Sequence, residues 1–174
     1  MPISLRRLTA ALLPLLAVHA MAADSPRNAR LDDQTQLPRA PARPAGKAYF
    51  QPPAEADIPS NAYGDLVRRG QDLFMNTKAL APEYVGNEMN CVNCHIDRGR
   101  KANSAPLWAA YTMYPAFRKK NNKVNTFVER MQGCFQFSMN GKAPAADSEV
   151  LTALAAYAYW MSAGVPIGKV QPGR

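Results

Sequence analysis

The sequence predicts an all-α domain. Three segments repeat apolar residues at helical spacing between recognisable caps, and no segment alternates apolar and polar residues as a half-buried strand would. Apolar residues make up 47% of the chain and mean hydropathy is −0.30, values of a soluble globular protein and not of a membrane bundle. The 174 residues suffice for one domain with tails.

The elements follow in chain order. Arg6 and Arg7 precede an apolar run from Leu8 to Val18, and Ala20-Met21-Ala22 supplies the small-x-small pattern of a cleavage site. The run is too short to span a bilayer, which takes about 20 residues. Residues 1–22 therefore read as a signal peptide, the mature chain as periplasmic, and no membrane span is expected after cleavage. Residues 23–60 hold 7 of the 15 prolines and no apolar period, the composition of a flexible Pro-rich leader. The ordered domain is expected over 61–170.

Inside it, Leu66, Val67, Gly70, Leu73 and Phe74 form one face of a helix from Tyr63 to Met75, and Gly70 allows close helix approach. Leu107 to Tyr114 suggests a short helix halted by Pro115. Thr126 and Glu129 are spaced as a capping box, starting a helix toward Asn140 with Gly141 as its stop. Asp147 or Ser148 caps a last helix, with Val150, Leu151, Leu154, Tyr157, Ala158 and Met161 on its apolar stripe before Gly164.

Cysteine is confined to Cys91, Cys94 and Cys134, an odd count that closes no disulfide framework. Cys91-Val92-Asn93-Cys94-His95 is Cys-x-x-Cys-His, the attachment sequence of c-type haem. Two thiols at this spacing reach the two vinyl groups of one porphyrin, and the adjacent His95 can bind iron as proximal ligand. A zinc site would have to use Cys91, Cys94, His95 and Cys134, and the neighbours Cys94 and His95 seldom both face one tetrahedral ion. A thioredoxin-type pair needs a βαβ setting that this pattern lacks. One motif implies one covalent haem c.

The distal ligand is open between Cys134 and a methionine, of which Met139 is the strongest competitor. Arg130, Cys134 and Ser138 recur at i, i+4 and i+8 and share a helix face. A thiolate beside Arg130 and ferric iron would have a lowered pKa and bind strongly. Cys134 could instead be a small buried hydrophobe or a surface thiol that forms dimers.

The chain carries 21 Lys+Arg against 13 Asp+Glu, a net charge of +8. Between Arg98 and Arg130 lie eight basic residues and one acid, Glu129. Such a field attracts small oxyanions or an acidic redox protein; it is equally the composition of a solvated face. Nucleic acid is not an expected partner, since no binding module is present. Trp108, Tyr111 and Tyr114 read as haem-pocket packing.

Tyr84-Val85-Gly86-Asn87, Asn90 to His95, Ser104-Ala105-Pro106-Leu107-Trp108, Tyr114-Pro115, Gly133-Cys134-Phe135 and Ser138-Met139-Asn140-Gly141-Lys142 resemble the first haem domain of the thiosulfate dehydrogenase cytochromes. The resemblance covers about 59–170. It implies a small class I cytochrome c-like domain around one haem, with Cys134 as distal ligand. It also implies Ser138 in the substrate pocket and basic residues, nearest Arg118 and Lys120, binding the anion. Two-haem relatives carry a second Cys-x-x-Cys-His domain to pass electrons onward, and this chain ends about where that domain would begin. Three readings follow. The first is an electron carrier in thiosulfate oxidation working with a redox protein such as another c-type cytochrome. The second is an enzyme joining two thiosulfates to tetrathionate. The third is a haem subunit inert until it docks on a partner.

Overall fold

In a computed structural model, which describes residues 49–174, two helices form the spine of the domain. Helix α1 (Ala62–Met75) starts where the Asn61 side chain accepts the Gly64 N–H, and it buries Leu66, Val67, Gly70, Leu73 and Phe74. Helix α4 (Glu149–Met161) starts at Ser148, whose hydroxyl accepts the Leu151 N–H, so Ser148 and not Asp147 is the cap. The two helices touch at Gly70, where a Cβ would stand 2.0 Å from the Ala153 carbonyl oxygen. Only a residue without a side chain permits that approach. Around this crossing pack Trp108, Tyr157, Trp160, Leu73 and Leu151, all fully buried. Gly164 follows α4 at φ 84°, the left-handed conformation that ends a helix.

Between the two spine helices the chain is mostly turns. Helix α2 (Thr77–Leu80) is a single turn, and a 3₁₀ turn spans Cys91–Asn93. The expected helix over Leu107–Tyr114 is two 3₁₀ turns, Leu107–Ala109 and Tyr111–Met113. A two-stranded ribbon follows, β1 (Ala116–Arg118) antiparallel to β2 (Lys123–Asn125), with Phe117 opposite Val124. The sequence reading expected no strand; three-residue strands are too short to display an alternation.

Helix α3 (Phe127–Gly133) begins with the anticipated capping box: the Glu129 N–H donates to Thr126 Oγ1 at 3.1 Å, and the Thr126 N–H donates to Glu129 Oε2 at 2.7 Å. The expected continuous helix to Asn140 changes character at Cys134, where a π turn runs Cys134–Ser138. Its stop is Asn140 at φ 49°, not Gly141. Gly141 serves closeness instead, since a Cβ there would lie 1.9 Å from the Tyr84 carbonyl oxygen.

The expected boundary at residue 60 also moves. Residues 49–60, assigned to the flexible leader, lie against the domain: Pro52, Pro53 and Ile58 are buried, and Phe50 meets Trp108 with ring centroids 5.5 Å apart. Glu55 bonds Arg98 at 3.1 Å, and Arg100 donates to the Pro53 carbonyl at 2.7 Å. Proline content hid this packing, because buried prolines carry no helical or strand period. The expected signal peptide, residues 1–22, and residues 23–48 fall outside the described residues.

Candidate haem site

The Cys91–Asn93 turn is set by its neighbours before it can present any chemistry. Asn90 N–H donates to Asn93 Oδ1 at 2.6 Å, while Asn90 Oδ1 accepts the Lys78 N–H at 2.9 Å. The buried Thr77 hydroxyl accepts the Cys91 N–H at 3.0 Å and sits 3.3 Å from Cys91 Sγ. The motif is thus pinned to α2 from both sides. Burial pushes the Cys91 thiol up to about 11, against a smaller lowering by its Thr77 bond.

His95 follows directly, its N–H donating to the Cys91 carbonyl at 3.1 Å. Its Nδ1 lies 2.5 Å from the carbonyl oxygen of Ala105. A carbonyl can only accept, so Nδ1 carries the proton and the Nε2 lone pair is left to bind a metal. Ala105 reaches this position at φ 48°. The Phe74 ring packs beside the imidazole with centroids 5.8 Å apart.

Cys91, Cys94 and His95 line a cavity of about 730 Å³. Cys134, Ser138, Met139, Arg118 and Arg130 line the same cavity, so the structure gathers nearly every residue singled out from sequence. Apolar walls come from Phe74, Leu107, Phe135 and Leu154. Lys120 is the exception: it is exposed in the turn between β1 and β2 and is not among the lining residues. Of the three aromatics expected at the pocket, Tyr114 lines it and accepts from Arg118 Nη1 at 3.2 Å. Trp108 belongs to the core, its Nε1–H donating to the Arg100 carbonyl at 2.8 Å. Tyr111 packs edge-on against Phe127 at 5.2 Å.

Cys134 stands where α3 passes into the π turn. Burial raises its thiol pKa, Arg130 and Arg118 lower it, and the Cys94 thiol raises it further. Without iron the raising influences win; the lowering expected from sequence takes Arg130 and ferric iron together. Met139, buried beneath the same turn, donates its N–H to the Cys134 carbonyl at 3.0 Å.

The residues fit a covalent haem. Two thiols at the attachment spacing, an imidazole with a free Nε2 and a second sulfur donor all border one apolar-walled space. Its volume falls in the roughly 300–1,000 Å³ range of small-molecule pockets. Among the described residues no three His, Cys, Asp or Glu side chains converge to hold a bare ion. The donors border a space large enough for a plate instead. Sequence reasoning missed Thr77 and Ala105, which act through a hydroxyl 14 residues away and a backbone carbonyl; no motif signals either. It also missed Gln171 and Arg174, which line the cavity from the C-terminal segment.

A helical fold around a cavity that opens on a Cys-x-x-Cys-His turn defines a c-type cytochrome domain. A family model described as SoxA/TsdA, cytochrome c domain, matches residues 70–167, and the chain belongs to that family. Membership carries with it covalently bound haem c. Thiosulfate dehydrogenase of Stutzerimonas stutzeri is 57% identical over 166 residues, which cover 95% of this chain and 54% of the relative. That of Thiomonas intermedia is 55% identical over 127 residues, covering 73% and 40%. A solved structure, the thiosulfate dehydrogenase (TsdBA) of Marichromatium purpuratum in its as-isolated form, superposes with TM-score 0.70 at 40% identity, over 74% of this chain and 29% of that one. The chain therefore spans about half the length of the Stutzerimonas relative, or less of the others.

Proposed function

We propose that this domain is a periplasmic one-haem cytochrome that transfers electrons during thiosulfate oxidation. Cys91 and Cys94 would hold the porphyrin, and His95 and Cys134 would bind its iron. When bound, haem supplies one-electron redox chemistry. The observation that carries the reading is the placement of His95 and Cys134 on one cavity together with Arg118, Arg130 and Ser138. Two guanidinium groups and a hydroxyl beside the sulfur suit a dianion of thiosulfate size. Among the described residues no Asp or Glu lines that cavity to oppose it. Lys120, exposed on the ribbon turn, adds to the approach field and not to the pocket.

That same arrangement favours a second reading, in which the domain itself joins two thiosulfates into tetrathionate. The reaction releases two electrons, and one haem accepts one, so an external acceptor such as another c-type cytochrome must collect them in two steps. One experiment separates the readings. Ferric holoprotein is mixed with thiosulfate, and the haem absorption and tetrathionate are followed with and without ferricyanide. Reduction with tetrathionate accumulating makes the domain an enzyme. A protein that dithionite reduces but thiosulfate does not is a carrier. Signal cleavage after Ala22 in the exported protein, read by mass spectrometry, tests the location.

A further inference from the structure

We propose that the β1–β2 ribbon is the docking surface for the domain's electron-accepting partner, a protein with an apolar patch ringed by carboxylates. The proposal rests on the carrier reading above for its purpose. Its geometry does not depend on thiosulfate.

Strand alternation turns Arg118 toward the cavity and Phe117 outward, where it is 58% exposed. Val124, its cross-strand partner, is 57% exposed. An aromatic and a β-branched residue paired in register make a continuous apolar surface on a ribbon only three residues long. Phe137 is 80% exposed and sits one residue before the cavity-lining Ser138. Phe117 and Phe137 are thus each adjacent in the chain to a residue of the cavity wall. Single exposed apolar side chains are ordinary on protein surfaces, but large aromatics beside a cofactor cavity are the pattern of a contact site.

Charge identifies the occupant. Lys119 and Lys120 are exposed at the ribbon turn, and none of the ion pairs among the described residues engages either of them. Lys123 is taken by Glu129 at 2.6 Å, so that acid is already neutralised. An apolar pair beside unpartnered ammonium groups matches an apolar patch with a carboxylate rim. Such a rim speeds encounter, and apolar contact holds the complex. A partner seated there stands over the cavity's Arg118 edge, and takes one electron per encounter: the partner is reduced by one and the domain oxidised by one.

The test uses holoprotein reduced with dithionite, so that it is independent of any reaction with thiosulfate. Oxidised plastocyanin serves as the probe, a copper protein with an apolar patch over its metal and an acidic patch beside it. Its reduction is followed by stopped flow at increasing salt. The cationic tris(phenanthroline)cobalt(III) complex is the small-acceptor control. The expected second-order rate with plastocyanin falls as salt rises, by about threefold or more in Lys119→Glu at low salt, and is kept in Lys119→Arg. Phe117→Ser lowers it by about tenfold. At salt high enough to screen surface charge, the rate with the cobalt complex changes less than twofold in every variant, which shows that fold and haem are intact. Plastocyanin rates that ignore both substitutions and salt would overturn the proposal. So would concentration-dependent dimers abolished by Phe117→Ser, which would assign the surface to a second copy of the chain. A positive docking result in a protein that thiosulfate fails to reduce would leave the docking surface standing and remove only the catalytic reading.

Discussion

Cys134 stands among opposed influences: burial and the Cys94 thiol favour the neutral form, and Arg130 and Arg118 favour the thiolate. If Cys134 is the iron ligand proposed above, iron would decide between them, because a metal takes the thiolate and not the thiol. A thiolate donates more electron density than a thioether and stabilises ferric iron. Cys134→Met therefore keeps the covalent haem, held by Cys91 and Cys94, and raises the reduction potential by on the order of 100 mV. Spectroelectrochemical titration with a pyridine haemochrome assay reads both; an unchanged potential would make Met139 the ligand already in place. The two thiols proposed to hold the haem were legible in the sequence, because thioether formation demands a fixed spacing. Thr77 and Ala105 were not. One acts across 14 residues and the other through a carbonyl, and any residue type supplies a carbonyl.

Apolar faces and one cap were legible in the helices, and the course of α3 beyond Cys134 was not. The Thr126–Glu129 box was readable because it needs two residue types at one spacing, whereas the π turn at Cys134 follows from tertiary packing that no local rule encodes. Glu129 also receives Lys123, and these bonds hold its carboxyl down to about 2, against 4.5 for a free side chain. The sign follows directly. As pH falls below 4.5 the unfolded chain takes up a proton before the folded one does, so the contribution of Glu129 is whole above that pH and is lost on descent to about 2. In Glu129→Gln the acid-limb decline in stability across this window is shallower, as measured by urea unfolding at stepped pH. Gly70 gives the other test at this scale. In Gly70→Ala the new methyl meets the Ala153 carbonyl oxygen at 2.0 Å, and backbone cannot swing aside as a side chain can. The two spine helices must part, at a cost of about 3 kcal/mol. The thermal midpoint then falls by more than about 10 °C, and a midpoint within 2 °C of the parent would show that the helices slide freely.

At the scale of the whole molecule, the all-α class was legible, and the way the chain closes around the cavity was not. The segment over 49–60, the ribbon and the C-terminal residues at the cavity have no period of their own and gain order only from what they rest on. The same reasoning makes the cofactor part of the fold. Phe74, Leu107, Phe135 and Leu154 turn apolar surface toward a space of about 730 Å³. Protein alone already leaves these four only 2–7% exposed, so the haem plate covers their remaining surface and does not create their burial. A Cys91→Ala/Cys94→Ala variant, stripped of non-covalent haem, loses the plate that fills this cavity while α1 and α4 keep their contact through Gly70. It is therefore expected to retain most of its far-ultraviolet circular dichroism, to lose its near-ultraviolet signal, and to melt without a sharp heat-capacity peak. A cooperative transition at the parent midpoint would mean instead that the helical core around Trp108, Tyr157 and Trp160 is self-sufficient, with the haem a guest in a finished pocket.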